Sequence, residues 1–182
     1  IYAWTVSPLK APDEPHELKI TFEAGIPVAL DGKRMKGADL IRTVNQIAGR
    51  HGIGRNDMME NRVLGIKARE IYEHPAANVL LTAHADLERL VLTREEYAFK
   101  QGVDAKWAQL AYYGLIYEPL WDALNAFIDT TQKRVNGTVD LRLFKGSVTV
   151  LGRSSPDSFY SIDVASFDST TVDQTDAIGF SM

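Results

Sequence analysis

The chain has 182 residues, 45% of them hydrophobic, with a formal net charge of −4 and no cysteine. That length supports a core without covalent staples and fits one domain, or one with a small annex. The missing cysteine excludes disulfides, thiolate metal sites and cysteine nucleophiles and fits a reducing compartment, here taken as cytoplasmic; the absence of a basic stripe disfavours nucleic acid; and no apolar run approaches the ~18 residues of a membrane helix.

The start, "IYAW", has neither a Met nor a signal peptide and reads like the interior of a longer protein. Residues 5–16, "TVSPLKAPDEPH", carry three prolines and read as an extended connector. Leu18, Ile20 and Phe22 alternate, Gly25 breaks the run, and Ile26, Val28 and Leu30 alternate again before Asp31-Gly32, so two strands and a turn are expected. Over 37–50, Leu40, Ile41, Val44, Ile47 and Ala48 recur at helical spacing. Residues 51–59, "HGIGRNDMM", read as a glycine-rich loop, and 60–73 as a strand pair or a strand bent at Gly65.

After Pro75 the helical period returns through Val79, Leu80, Ala83, Leu87, Leu90 and Val91. Thr93 with Glu96 predicts a capping box for the next helix, with an interruption at Gly102. Pro119 opens a further helix with Leu120, Trp121, Leu124, Phe127 and Ile128 on its apolar face. Past Asn136-Gly137, Val139, Leu141 and Leu143 alternate, Lys145-Gly146 turns the chain, and Val148 and Val150 alternate back as a hairpin. One more extended segment is expected at 157–168, followed by a Ser/Thr/Asp-rich tail at 168–176. Strands first, central helices and a C-terminal hairpin predict an α+β fold, a mixed but largely antiparallel sheet with helices packed on it.

Few motifs carry chemistry. "GIGR" at 52–55 lacks the Lys-Ser/Thr ending of a phosphate loop, so a plain glycine turn competes with an anion-binding one. The four histidines form no HExxH pattern, and no metal site is expected, Glu73-His74 included; His84 reads as a packing residue. The serines at 154–161 lack a nucleophile elbow. Tyr97, Trp107, Tyr112, Tyr113, Tyr117 and Trp121 read as core or as an oligomer interface. The charged stretch "ENRVLGIKAREIYEHP", 60–75, stands out. As one extended run it would put Glu60, Arg62, Leu64 and Ile66 on one side and Asn61, Val63, Lys67 and Arg69 on the other. Its charges form either a structural ion-pair network or the wall of a polar pocket; spacing leaves both open.

"HGIGRNDMMENRVLGIKAREIYEHP" resembles the argininosuccinate synthase signature: His-Gly-(Ile/Val)-Gly-Arg-x-Asp, Glu-Asn-Arg, Gly-(Ile/Met)-Lys-Ser-Arg and Tyr-Glu-x-Pro. "SPLKAPDEP", "FEAGIPVAL", "LFKGSVTVLGRSSP" and "DAIGF" agree in the same order along the chain. Each fragment is weak alone; the collinear set is specific and covers nearly the whole chain. The resemblance implies the C-terminal synthetase and multimerisation domain of that family, over 17–182, with 1–16 leading from an N-terminal ATP-binding domain. Nothing in this chain resembles that domain's Ser-Gly-Gly-Leu-Asp-Thr-Ser loop, and the family's C-terminal arm is expected after Met182.

The family joins citrulline to aspartate using ATP with magnesium. The ureido oxygen of citrulline attacks the α-phosphorus, pyrophosphate leaves, and the aspartate amine displaces AMP. Glu60 and Tyr72 fall on the family's citrulline-binding positions. Their chemistry suits that role, since a carboxylate holds an ammonium and a phenol donates or accepts. Arg62, Lys67 and Arg69 are expected as supporting residues. No catalytic residue, metal ligand or cofactor is expected in the chain itself, which is expected to be inactive alone. Ala68 stands where the family usually has Ser. The family's homotetramer implies an oligomer, a dimer through the Trp107–Trp121 face for this chain alone. A non-catalytic oligomeric scaffold or small-molecule-binding module is the alternative.

Overall fold

A computed structural model of the chain describes residues 1–161. The segment expected at 157–168 thus lies largely outside the described residues, as do the tail and "DAIGF"; residues 155–161 carry no strand.

The main sheet is built from five strands: β1 (His16–Glu23), β2 (Ile26–Leu30), β3 (Lys33–Arg34), β6 (Gly137–Phe144) and β7 (Ser147–Ser154), in the order β3-β2-β1-β6-β7. Every pairing is antiparallel. Three two-residue hairpins make this possible. Ala24-Gly25, Asp31-Gly32 and Lys145-Gly146 each place two successive residues at positive φ, between 44° and 88°, the twist that matches flanking strands. Pairing of β1 with β6 sets Leu18 opposite Leu141 and Ile20 opposite Val139. Strands from the two ends of the pattern thus meet at the centre of the sheet.

Alternation then decides the layers. Leu18, Ile20, Phe22, Val139, Leu141 and Leu143 are all buried on one face. Helices α1 (Gly37–Arg50) and α2 (Pro75–Val91) cover that face with Leu40, Val44, Ala48, Val79, Ala83, Leu87 and Val91. The opposite face keeps its polar residues in water, with Lys19–Asp140 at 3.3 Å and Arg142–Glu17 at 2.8 Å. One wet and one covered face is the usual antiparallel arrangement. The α+β expectation holds.

Helices α3 (Arg94–Tyr112) and α4 (Pro119–Gln132) form a second helical layer. The Thr93–Glu96 capping box is present, with Glu96 N donating to Thr93 Oγ1 at 3.2 Å and Thr93 N donating to Glu96 Oε2 at 3.0 Å. Gly102 does not interrupt α3. A Cβ there would meet nothing within 4 Å, so this solvent-side glycine only weakens the helix, by ~1 kcal/mol relative to Ala.

A buried polar cluster ties α2, α3 and α4 together. Lys100 Nζ lies 3.0 Å from Glu88 Oε1 and 2.7 Å from Asp104 Oδ2. Gln132 Nε2 donates to Glu88 Oε1 at 2.6 Å, and Gln132 Oε1 lies 2.8 Å from His84 Nε2. His84 is thus a satisfied packing residue, as expected. Burial pushes the Lys100 ammonium down; Asp104 and Glu88 outweigh it and hold it above its usual value. Lys100→Met removes the cation facing Glu88 and should cost roughly 3–5 kcal/mol, the range for breaking a buried pair on one side. Urea denaturation monitored by circular dichroism checks this; a loss under about 1 kcal/mol, the scale of an exposed pair, would contradict the ionic role.

Candidate functional site

The charged stretch forms a hairpin of its own. Strands β4 (Arg55–Asn61) and β5 (Lys67–Glu73) pair only with each other among the described residues. β4 therefore begins inside the segment read as a loop at 51–59, and 60–73 is a strand pair, not a bent strand. Arg62 N donates to Ile66 O, and Gly65 N to Arg62 O, both at 2.8 Å, so the chain reverses over 62–66. The register sets Glu60 opposite Ala68, Met58 opposite Glu70 and Asn56 opposite Tyr72. Paired residues share a face, so Glu60, Glu70 and Tyr72 lie on one side and Lys67, Arg69 and Glu73 on the other; the reversal keeps Glu60 apart from Lys67 and Arg69, as the single-run alternation does.

Glu60 is the junction of its face. Tyr72 Oη donates to Glu60 Oε1. Tyr112 Oη, from the end of α3, donates to Glu60 Oε2 at 3.3 Å. Arg62 Nη1 lies 3.3 Å from the same oxygen and 3.4 Å from Glu70 Oε1. The Glu60 side chain is 14% exposed, while Tyr72 and Tyr112 are 38% and 49% exposed. Two half-open phenols thus flank a recessed carboxylate. The Tyr72 hydroxyl holds Glu60 below the usual carboxylate range; partial burial opposes this, and Arg62 and Tyr112 add to it. The same bond pushes Tyr72 up to about 12, so it stays a donor at neutral pH.

The remaining candidates divide by face. Arg62 belongs to the Glu60 cluster. Lys67 bonds Asn61, and Arg69 holds Asp57 through two bonds, Nε to Oδ1 at 2.8 Å and Nη2 to Oδ2 at 2.5 Å, both on the far side. Those two pairs brace the ribbon. Ala68, which departs from the family pattern, sits directly opposite Glu60; a serine there would bring a hydroxyl to the Glu60 face.

The base of the hairpin is pinned to the start of the chain. The Glu73 carboxylate accepts from the amides of Ala3 at 2.7 Å, Trp4 at 3.1 Å and Thr5 at 2.8 Å, and from Thr5 Oγ1 at 2.5 Å. Arg55 Nε donates to Thr5 Oγ1 at 2.8 Å and Nη2 to Thr5 O at 2.6 Å, with its guanidinium 3.9 Å above the Tyr2 ring. Residues 1–15 are therefore an anchored strap with one short 3₁₀ turn at Pro8–Lys10.

The glycine loop is a packing device, not an anion cradle. Gly52 N and Ile53 N donate to Gly49 O and Ala48 O, both at 3.1 Å, as the cap of α1. At Gly54, φ is +95° and a Cβ would lie 2.4 Å from Pro75 N, so only glycine lets β4 pass the start of α2. Among the described residues, no group of three His, Cys, Asp or Glu side chains is placed to hold a metal ion.

Two residues that hold the hairpin, Glu73 and Tyr112, have no role assigned to them by the sequence. Glu73 enters there as the neighbour of His74 and as the Glu of Tyr-Glu-x-Pro, with no role attached, and Tyr112 only as one aromatic of the helical set. No local pattern marks Tyr112, which meets Glu60 across 52 residues of chain.

Fold and site define an α+β domain that presents a recessed carboxylate, framed by phenols and an arginine, on a ribbon strapped beside its helical layer. The family model "Arginosuccinate synthase C-terminal domain" matches residues 1–182. An argininosuccinate synthase of Methanospirillum hungatei is 95% identical over 182 residues, all of this chain and 46% of that protein. Those of Methanosarcina barkeri and Methanosarcina acetivorans are each 61% identical over 180 residues, 99% of this chain and 46% of theirs. The chain belongs to the argininosuccinate synthase family as its C-terminal domain. It spans about half the length of these relatives.

The Glu73 anchor predicts an acid response. Burial pushes this carboxyl up, but the Thr5 hydroxyl and the three amides outweigh it and hold it at about 2, against an ordinary 4.5. The folded state therefore binds the proton less readily than the unfolded chain. The anchor's stabilisation is whole above pH 4.5 and is lost as pH falls towards 2. Denaturation midpoints of the wild type should fall more steeply across that window than those of Glu73→Gln; parallel slopes would contradict the anchor.

Proposed function

We propose that this chain supplies one wall of the citrulline site of an argininosuccinate synthase, the ATP-dependent ligase that joins citrulline to aspartate with release of AMP and pyrophosphate. The observation that carries the reading is the Glu60 carboxylate, recessed between Tyr72 and Tyr112 and kept ionised by its donors. Citrulline has an α-ammonium, an α-carboxylate and an uncharged ureido end. An ionised acceptor on a phenol-lined wall suits the ammonium. Binding energy at that end, remote from the reacting ureido oxygen, orients the ureido group for attack. The chain's share of the reaction is this positioning.

ATP, its magnesium and the aspartate are assigned to a separate ATP-binding domain, with the strap at 1–15 leading from it. The residues of this chain alone are then inactive. Arg62 supports Glu60 directly; Lys67 and Arg69 support the ribbon rather than the ligand. The enzyme works in the cytoplasm as a homotetramer in this reading; no helix among the described residues is long and apolar enough to cross a membrane. Trp107 and Trp121, expected at a dimer face, stack on each other at 4.7 Å within the chain. The exposed Tyr113, Leu115, Ile116, Tyr117 and Leu120 are what remains of that face for a second copy.

The test is pyrophosphate release by the full-length protein, with citrulline and aspartate together and with each omitted. Glu60→Gln keeps the shape and removes the charge. It should raise the citrulline KM roughly 10-fold or more, the scale of a hydrogen bond to a charged group, with the KM for ATP little changed. An active enzyme indifferent to Glu60→Gln would make the cluster a structural network and overturn the assignment.

A further inference from the structure

We propose that Tyr112 is a positioning residue for the citrulline site, setting the plane of the Glu60 carboxylate from outside the hairpin; the proposal rests on Glu60 being the group that receives the substrate ammonium. A carboxylate has two oxygens with about four acceptor positions. At Glu60, Tyr72 takes one on Oε1, while Tyr112 and Arg62 converge on Oε2, each at 3.3 Å. The free acceptor capacity is left on Oε1, next to Tyr72.

The terminal torsion of a glutamate is soft, so its plane is set by its partners and not by its own rotamer. Tyr72 and Arg62 cannot fix that plane relative to the rest of the domain, because both belong to the hairpin that carries Glu60. Arg62 is also shared with Glu70. Among the described residues, Tyr112 is the one hydrogen-bond partner of Glu60 from another element. It is the last residue of α3, a 19-residue helix held by the Lys100 cluster. Its hydroxyl thus references Glu60 to a rigid layer.

A phenol that merely docked the ribbon on α3 would make the same contact, so the test needs a readout that docking does not move. In the full-length enzyme, Tyr112→Phe keeps the ring and removes the donor. The citrulline KM should rise about 3- to 10-fold, as for a lost hydrogen bond to a charged group, with kcat and the KM for ATP and for aspartate within about twofold. Losing a donor to the carboxylate lifts the Glu60 pKa, so on acidification citrulline binding should begin to fail at a higher pH than in the wild type. In a Glu60→Gln background, adding Tyr112→Phe should change the citrulline KM by less than about 1.5-fold, because the two act as one unit. Tyr113→Phe removes a hydroxyl that makes no hydrogen bond to Glu60 and leaves the ring 5.6 Å from that of Tyr112, and so is the control for packing at the end of α3.

Full multiplicativity of the two substitutions, or an equal loss across all three substrates, would make Tyr112 structural and overturn the proposal. If Glu60→Gln weakens citrulline use and Tyr112→Phe does not, the positioning role alone falls. If Glu60→Gln is itself without effect, the citrulline reading falls and this proposal with it.

Discussion

A two-stranded ribbon does not hold its own place in water. Among the described residues, β4 and β5 have no neighbour in the main sheet, so the site they carry depends on polar anchors to the rest of the chain. One lies at the base, where Glu73 gathers three successive amides and a hydroxyl of the strap. Another lies along the edge of α2, where Asn78 Nδ2 meets Asn56 Oδ1 at 3.4 Å. A third lies nearer the tip, where Tyr112 meets Glu60. Base and tip are thus tied to different elements, which fixes direction as well as position.

The tip anchor is made from the group assigned to the ligand. A purely structural ribbon would use pairs such as Arg69–Asp57, exposed and bonded through two atoms on the far face. The Glu60 face instead gathers donors around a carboxylate without fully saturating it. Tyr72 and Tyr112 are half exposed while Glu60 is recessed between them. That leaves an acceptor at the bottom of a shallow slot. The slot keeps its charge across the physiological range because its hydrogen-bond partners all favour the ionised form.

Much of the scaffold is legible in the residues because period and turn chemistry agree there. Leu18, Ile20 and Phe22 alternate into the core, three glycine turns close hairpins, and Pro75, Thr93 and Pro119 mark helix starts. Legibility ends where local chemistry competes with tertiary demand. Gly52 and Gly54 suggest a longer loop, yet they cap α1 and let β4 pass close to Pro75. Gly102 suggests a break, yet a 19-residue helix tolerates it on its wet side. In the hairpin, alternation does set Lys67 and Arg69 on the face away from Glu60, but not the pairs with Asn61 and Asp57 that they make there. Glu60 and Tyr72 themselves are marked by family resemblance, not by spacing. Tyr112 lies beyond both signals, since its partner is distant in the chain and its neighbours are ordinary helix aromatics.

A structure of the full-length protein with citrulline bound is the most direct test of Glu60 as the ammonium acceptor. The α-ammonium should lie within hydrogen-bonding distance of Glu60 Oε1, beside Tyr72, with Tyr112 still on Oε2. Citrulline seated away from Glu60, or a Glu60 carboxylate turned from the ligand and paired only with Arg62, would contradict that role and leave the 60–75 charges as a brace for the ribbon.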